Sequence, residues 1–281
     1  MRHLTPRKVN EGVRRVLLTM KEVRQSAVID SWGLLPDRSV NPLTAHPRCY
    51  WSQSDEDGIL EEILLRTGPS DEGVFIEYGV GNGAQCNTVA LLAKGWQGAW
   101  ISGEDLMFSP REGGRLAFEQ AWITRDNIMQ LTNTALARLS GSDANDPKGV
   151  DVVSLDLDGN DLHLAEVLLK AGIMPRVWIA EYNARFPVGT YWVMDYDASH
   201  TWKEDDFYGA SISAFASAFR DHGYFPVACS VSGANVFFVR DDFRGAFDDV
   251  PQDLRTLYQP QFSASVQWGH KISARTLESL T

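Results

Sequence analysis

Val74-Phe75-Ile76-Glu77-Tyr78-Gly79-Val80-Gly81-Asn82-Gly83-Ala84 is the stretch that decides the fold of this chain. Its first five residues are mostly apolar, β-branched or aromatic, which predicts a short buried strand. The glycines at 79, 81 and 83 let the backbone turn sharply and approach a ligand with no Cβ in the way. A helix running through Lys94 is expected to follow and to present free backbone N–H groups at its start. Strand, glycine turn and helix open a nucleotide-binding α/β unit. Taken alone, Gly79-x-Gly81-x-x-Ala84 also fits the dinucleotide fingerprint.

Downstream, a second strand is expected over Ala99 to Gly103, ending at Glu104, and a third near Phe118 to Thr124. A fourth covers Asp151 to Leu155, with Asp156 at its end, and a fifth Arg176 to Ala180. Helical patterns separate them. Tyr224 to Ser230 and Asn235 to Arg240, joined by Val231-Ser232-Gly233-Ala234, read as an antiparallel hairpin. The fold class is therefore α/β, with a mostly parallel Rossmann-like sheet closed by a C-terminal antiparallel hairpin. Upstream, Ile59, Leu60, Ile63 and Leu64 have helical spacing, and Asp55, Glu56 and Asp57 lie where the helix dipole favours negative charge. Pro36, Pro42 and Pro47 mark a loop. Arg2, Arg7, Lys8, Arg14, Arg15, Lys21 and Arg24 fall in a helical stretch that reads as a solvated face, with contact to an acidic partner or membrane as the alternative. The expected division is a helical extension and arm over 1–49 and one domain over 50–281.

With 281 residues, 44% of them hydrophobic, the chain can bury one sizeable core. A formal charge of -11 opposes nucleic-acid binding, which needs a cationic face. Cys49, Cys86 and Cys229 are odd in number and unpaired by spacing, which fits a reducing compartment. No stretch approaches a membrane span, so a cytoplasmic protein is expected. Whether it forms a homodimer is left open by the sequence.

Two carboxylates flank the glycine turn. Glu77 suits a ligand carrying an ammonium group, as the methionine part of S-adenosylmethionine (SAM) does, whereas the pyrophosphate of NAD would be repelled there. Glu104 stands where either cofactor offers its ribose diol.

The runs Trp51-Ser52-Gln53-Ser54-Asp55-Glu56-Asp57-Gly58-Ile59-Leu60, Phe75-Ile76-Glu77-Tyr78-Gly79, Asn87-Thr88 and Lys94-Gly95-Trp96-Gln97-Gly98 resemble a group of bacterial proteins related to the FkbM-like methyltransferases. The segments Val153 to Asp161, Glu181-Tyr182-Asn183, Tyr208-Gly209-Ala210-Ser211 and Asn235 to Asp242 look like the same group. The resemblance covers about residues 50 to 242 and implies the class I methyltransferase fold and SAM. It also implies that Gln53, Glu77, Gly79, Gly81, Gly83 and Glu104 line the SAM site, with Asp126 or Asn127 near the adenine. An Asp-Asn turn before a helix is equally an N-cap.

Ligands of open α/β sheets bind beyond the carboxyl ends of the strands. Asp156 and Asp158 end the fourth strand here, and Glu181 and Asn183 the fifth. Hard oxygens from two adjacent strand ends suit Mg²⁺. The pattern is similar to that of metal-dependent O-methyltransferases, so Asp156, Glu181 and Asn183 are the expected metal ligands, and Asp156 and Asp158 candidates for the reaction centre. Glu181-Tyr182-Asn183 departs from the usual Asp or Asp-Asn of those enzymes. The turn Asp158-Gly159-Asn160-Asp161 also suits a helix cap, which leaves Asp156 unexplained. His200, in the aromatic segment Phe186 to Tyr208, is the first choice of base. His163 and His222 read as structural or solvated, and Tyr191, Trp192, Tyr196, Trp202 and Phe207 as a candidate aromatic pocket. The expected activity is methylation of a hydroxyl or amine on a small-molecule acceptor. An NAD-dependent oxidoreductase and a non-catalytic SAM-fold binding protein are the alternatives.

Overall fold

A computed structural model describes residues 38–68, 71–139, 149–261 and 273–280. The basic N-terminal stretch lies outside the described residues.

Helix α1 (Glu56–Thr67) precedes strand β1 (Val74–Tyr78), and α2 (Val89–Lys94), β2 (Gln97–Ser102), β3 (Leu116–Gln120) and α3 (Ile128–Leu136) follow. Next come β4 (Val152–Leu155), α4 (Asp161–Lys170), β5 (Val177–Glu181), α5 (Ile212–Arg220), β6 (Tyr224–Cys229) and β7 (Asn235–Arg240). Short helices α6 (Leu254–Leu257) and α7 (Ala274–Ser279) end the described chain. The seven strands form one sheet in the order β3-β2-β1-β4-β5-β7-β6. The first five are parallel, and β7 runs antiparallel to both β5 and β6. This is the Rossmann-like class I methyltransferase arrangement that the resemblance implied.

The central strands are covered on both faces, which is why they read as nearly continuous apolar runs. On one face Ile76, Tyr78, Val153, Leu155, Trp178 and Ala180 pack in one buried cluster with Leu164, Leu168, Phe215 and Phe219 of α4 and α5. On the other, Phe75, Val152, Val177, Ile179 and Phe237 pack with Ile59, Leu60, Ile63 and Leu64 of α1 and Leu91 of α2. The helical spacing read in α1 is thus the face it buries.

Two expected boundaries move. The third strand lies at Leu116–Gln120 and stops before Trp122, because the Asn127 side chain claims the next residues: Oδ1 accepts from Thr124 N at 2.7 Å and Nδ2 donates to Trp122 O at 2.8 Å. The helix after the glycines begins only at Val89, and its leading N–H groups are not free. Asn87 N donates to Glu77 Oε1 at 2.7 Å, while Thr88 N, at 3.1 Å, and Thr88 Oγ1 donate to Oε2.

The described part of the arm is packed into the body. Leu43 is buried in the α1-side cluster, Asn41 Nδ2 donates to Val227 O at 2.8 Å, and Arg38 pairs with the buried Asp55 at 2.6 Å. Burial pushes Asp55 up to about 6, and Arg38 opposes the rise.

Candidate active site

The parallel registers carry one line of residues across the rim of the sheet. Tyr78 aligns with Leu155 and Leu155 with Ala180, so the next positions, Gly79, Asp156 and Glu181, form a row, and Glu181 stands opposite Asn235 on β7. Because side chains alternate along a strand, Asp156, Glu181 and Asn235 share the face of Val152, Ser154, Ile179 and Phe237. This face carries α1 and α2. The carboxyl ends of the parallel strands and the start of β7 therefore converge on one polar rim.

Gly79 shows why a side chain is excluded from that row. Its φ is +82°, and a Cβ there would overlap the Asp156 carbonyl oxygen, with the carbonyl carbon 2.7 Å away. Gly81, at φ +52°, faces open space instead, with nothing within 4 Å of an added Cβ. Gly83 packs toward Trp100, Leu106 and Phe108, and Met107 N donates to Asn82 O at 2.9 Å, so the loop after β2 lies against the turn. The turn thus offers an uncovered backbone at Gly81, a cradle that fits an extended cofactor passing over it.

Glu77 is buried beneath this turn. Burial pushes it up to about 7, and the three donors from Asn87 and Thr88 restrain the rise. Its carboxylate is spent on the start of α2. Glu104 differs: it is exposed at the end of β2, close enough to Asp158 to raise that carboxyl electrostatically. Gln53 is exposed in the 50–54 loop, which Asp57 gathers by accepting Tyr50 N, Trp51 N and Ser52 N at 2.6 to 3.0 Å. Asp57 also acts on Glu77 electrostatically, so this loop borders the turn. Asp126 is exposed, and Asn127, described above, holds the end of β3.

Asp156, Asp158 and Glu181 each offer a carboxylate oxygen within 4.8 Å of the others. Burial, then the neighbouring carboxylates, raise Asp156 and Glu181 well above the usual carboxylate range. Glu181 Oε2 is buried with no partner. Asp158 takes a left-handed conformation, φ +54°, on the loop that Asp161 anchors by accepting Leu157 N at 2.7 Å and Gly159 N at 3.0 Å. Left-handed non-glycine residues are uncommon and gather at functional sites. Crowded acids, an orphaned oxygen and hard donors fit a divalent cation.

Asn183 does not join them. Its Nδ2 donates to Asp206 O at 2.9 Å and Tyr208 O at 2.8 Å, and its Oδ1 accepts Arg185 N at 3.0 Å. These bonds occupy the amide as a clip between the end of β5 and the Asp206–Tyr208 backbone. Nothing in the spacing of Glu181 and Asn183 distinguishes this use from ligation, because the two carbonyls that take Nδ2 lie more than 20 residues away.

The 186–208 segment arches over the rim. Asn160 Nδ2 donates to Asp197 O at 2.8 Å, Trp122 Nε1 to Ala198 O at 2.7 Å, and Arg125 N to Tyr196 Oη at 3.0 Å. His200 is brought to the acids: its ring lies on Gly159, where a Cβ would sit 2.8 Å from Nε2, and Nε2 has no hydrogen-bond partner. Desolvation lowers its pKa, which favours the neutral ring. His163 is structural, as expected, placed between Arg125 at 2.6 Å and Met194 O at 2.6 Å. His222 Nδ1 bonds Ala218 O at 2.9 Å, one turn back. The aromatic residues mostly pack the arch itself: Trp192 stacks on Phe186 at 4.3 Å and meets Phe207 edge-on, Tyr196 lies under Arg125, and Trp202 Nε1 bonds Asp205 O. Tyr191 is exposed.

No protein-family model matches the chain, and no curated protein is significantly similar to it. Among solved structures, it is similar to the mitomycin 7-O-methyltransferase MmcR, at 16% identity and TM-score 0.32, over 64% of this chain and 53% of that one. It is also similar to an O-methyltransferase family protein from Burkholderia thailandensis, at 13% identity and TM-score 0.35, over 79% of this chain and 70% of that one. The chain thus spans about half the length of MmcR. The fold assignment stands on the strand order itself. Among the described residues no helix is long and apolar enough to cross a membrane.

Proposed function

We propose that this protein is a SAM-dependent methyltransferase that acts on a hydroxyl or amine of a small molecule, assisted by a divalent cation such as Mg²⁺. The observation that carries the cofactor choice is Glu77. A dinucleotide enzyme needs the N–H groups at the start of its first helix for pyrophosphate. Here a carboxylate already takes those of Asn87 and Thr88. A cofactor without phosphates loses nothing by this, and the sheet, with its antiparallel β7, also departs from the 3-2-1-4-5-6 dinucleotide order.

SAM supplies an electrophilic methyl group on a sulfonium. Gly81 leaves room for it over the turn, and Glu104 is available to the ribose hydroxyls. Asp156, Asp158 and Glu181 would hold the cation, which lowers the pKa of an acceptor hydroxyl. His200, whose Nε2 has no hydrogen-bond partner and whose ring is kept neutral by desolvation, is the candidate base. The 186–208 segment, tied to Trp122, Arg125 and Asn160, borders the rim and would help to position the acceptor, which supplies much of the rate.

Calorimetric titration with SAM, S-adenosylhomocysteine and NADH, each with and without Mg²⁺, tests this. Micromolar binding of the first two alone is expected. Binding of NADH alone would replace the reading with an oxidoreductase, and binding of none would favour a non-catalytic protein. Glu104→Ala should weaken SAM by about 1.5 to 3 kcal/mol, the worth of charge-assisted ribose bonds. Unchanged affinity in a folded variant would remove Glu104 from the ribose.

A further inference from the structure

We infer that Asn235, at the start of β7, is an additional oxygen ligand of the divalent-cation site formed by Asp156, Asp158 and Glu181. This rests on the cation reading above and extends it to a residue that lies outside the motifs at the ends of the fourth and fifth strands.

Asn235 is 3% exposed, and its Oδ1 is buried without a hydrogen-bond partner. Leaving a buried amide oxygen unpaired is costly, so its neighbourhood is expected to provide something for it. The orientation of the amide is fixed chemically. Nδ2 donates to Glu56 Oε1 at 3.2 Å, and Glu56 also accepts Ser54 N at 2.7 Å and Ser54 Oγ at 3.0 Å. Turning the amide over would set two acceptors against each other.

The start of α1 lies on the hairpin-turn side of Asn235. Asp55 Oδ1 accepts Val231 N at 2.7 Å, and Ser54 Oγ meets Ser232 Oγ at 3.3 Å. With Nδ2 held by Glu56, Oδ1 is the atom of the amide left without a partner, and β5 is the strand on which Asn235 has its facing neighbour. There Glu181 is the directly opposed residue. Tyr182 N donates to Ala234 O at 2.9 Å, so Glu181 and Asn235 form the pair not bonded through the backbone, the type that brings side chains closest. In such pairs the Cβ atoms stand about 4.5–5.5 Å apart.

Glu181 and Asn235, each with an unpaired buried oxygen, are therefore directly opposed residues on one face, next to Asp156 in the same row. No described lysine or arginine forms an ion pair with Asp156, Glu181 or Asp158. A hard divalent cation meets all these needs at once: it neutralises the acids and accepts a neutral carbonyl ligand beside them. The set becomes three carboxylates and one amide oxygen, gathered from β4, its following loop, β5 and β7.

The test is titration of the full chain with Mn²⁺ alone, followed by electron paramagnetic resonance of free Mn²⁺, with thermal midpoints measured without metal. Asn235→Ala should weaken Mn²⁺ binding roughly tenfold or more, since even groups that only support ligands are worth 10- to 100-fold. Asn235→Thr, whose β-branched side chain suits a strand but stops short of the cation, should do the same and serves if the alanine variant fails to fold. Unchanged Mn²⁺ affinity in either folded variant overturns the assignment. So does a lower midpoint with unchanged affinity, which would confine Asn235 to its bond with Glu56. If the unaltered protein binds no Mn²⁺, the cation reading itself fails, a result distinct from either of these.

Discussion

Gly79→Ala is expected to abolish SAM binding and to lower the stability of the fold by several kcal/mol. The backbone at φ +82° costs a side-chain-bearing residue about 1–3 kcal/mol. Forcing a Cβ onto the Asp156 carbonyl adds about another 1–3 kcal/mol of overpacking, because that oxygen belongs to the adjoining strand end and cannot move alone. Any movement that relieves the clash shifts the glycine turn and Asp156 together. Gly81→Ala is the control: its strain is about 1–2 kcal/mol and it meets no protein atom. That variant should lose only about 1–2 kcal/mol of stability, well short of Gly79→Ala, yet bind SAM more weakly, because its Cβ enters the space over the turn. A folded Gly79→Ala protein with unaltered SAM affinity would move the cofactor away from this turn.

Asp156→Asn should separate stability from activity in the opposite sense. Asp156 and Glu181 crowd each other, and burial with mutual repulsion raises both above the usual carboxylate range. In the metal-free protein the folded state thus keeps protons that the unfolded chain releases near pH 4. Stability is fully present below that pH and falls as pH rises from there through the raised folded-state values. Asparagine removes one charge and offers Glu181 an N–H donor. The variant should melt about 2–4 °C higher at pH 8 for each kcal/mol of relieved repulsion, with a shallower pH dependence, while turnover falls by roughly 100-fold. Mg²⁺ should raise the melting point of the unaltered protein at pH 8 and leave that of the variant nearly unchanged. A variant that stays fully active would take Asp156 out of the reaction centre.

Much of this architecture was legible in the chain because it rests on local patterns. The run from Val74 to Gly83, the acids at the ends of β4 and β5 and the hairpin from Tyr224 to Arg240 each declare themselves within a dozen or so residues. What escaped depends on partners distant in sequence. Asn183 looks like a ligand until Asp206 and Tyr208 claim its amide. The N–H groups of Asn87 and Thr88 look available until the pleat turns Glu77 toward them. Asn235 opens one of the segments that carry the resemblance, yet nothing in that segment marks it as a ligand; its place beside Glu181 follows only from the register of β5 with β7, and the use of its Nδ2 from a bond to Glu56. Propensity and periodicity contain no information on such pairings.

The arch over the rim has its own small apolar cluster, Phe186, Trp192 and Met194 with Phe207 packed against it, separate from the two cores that hold the sheet. Its outer side is tied to α7: Asp206 accepts Ser273 N and Thr276 Oγ1, and Trp192 Nε1 reaches Ser279 Oγ. Inheritance can therefore act on the two halves of the site at different rates. Substitutions in the arch can recut the space offered to an acceptor while the rim proposed to take cofactor and cation stays the same, so descendants of one ancestral chain could serve different acceptors without solving the folding problem again.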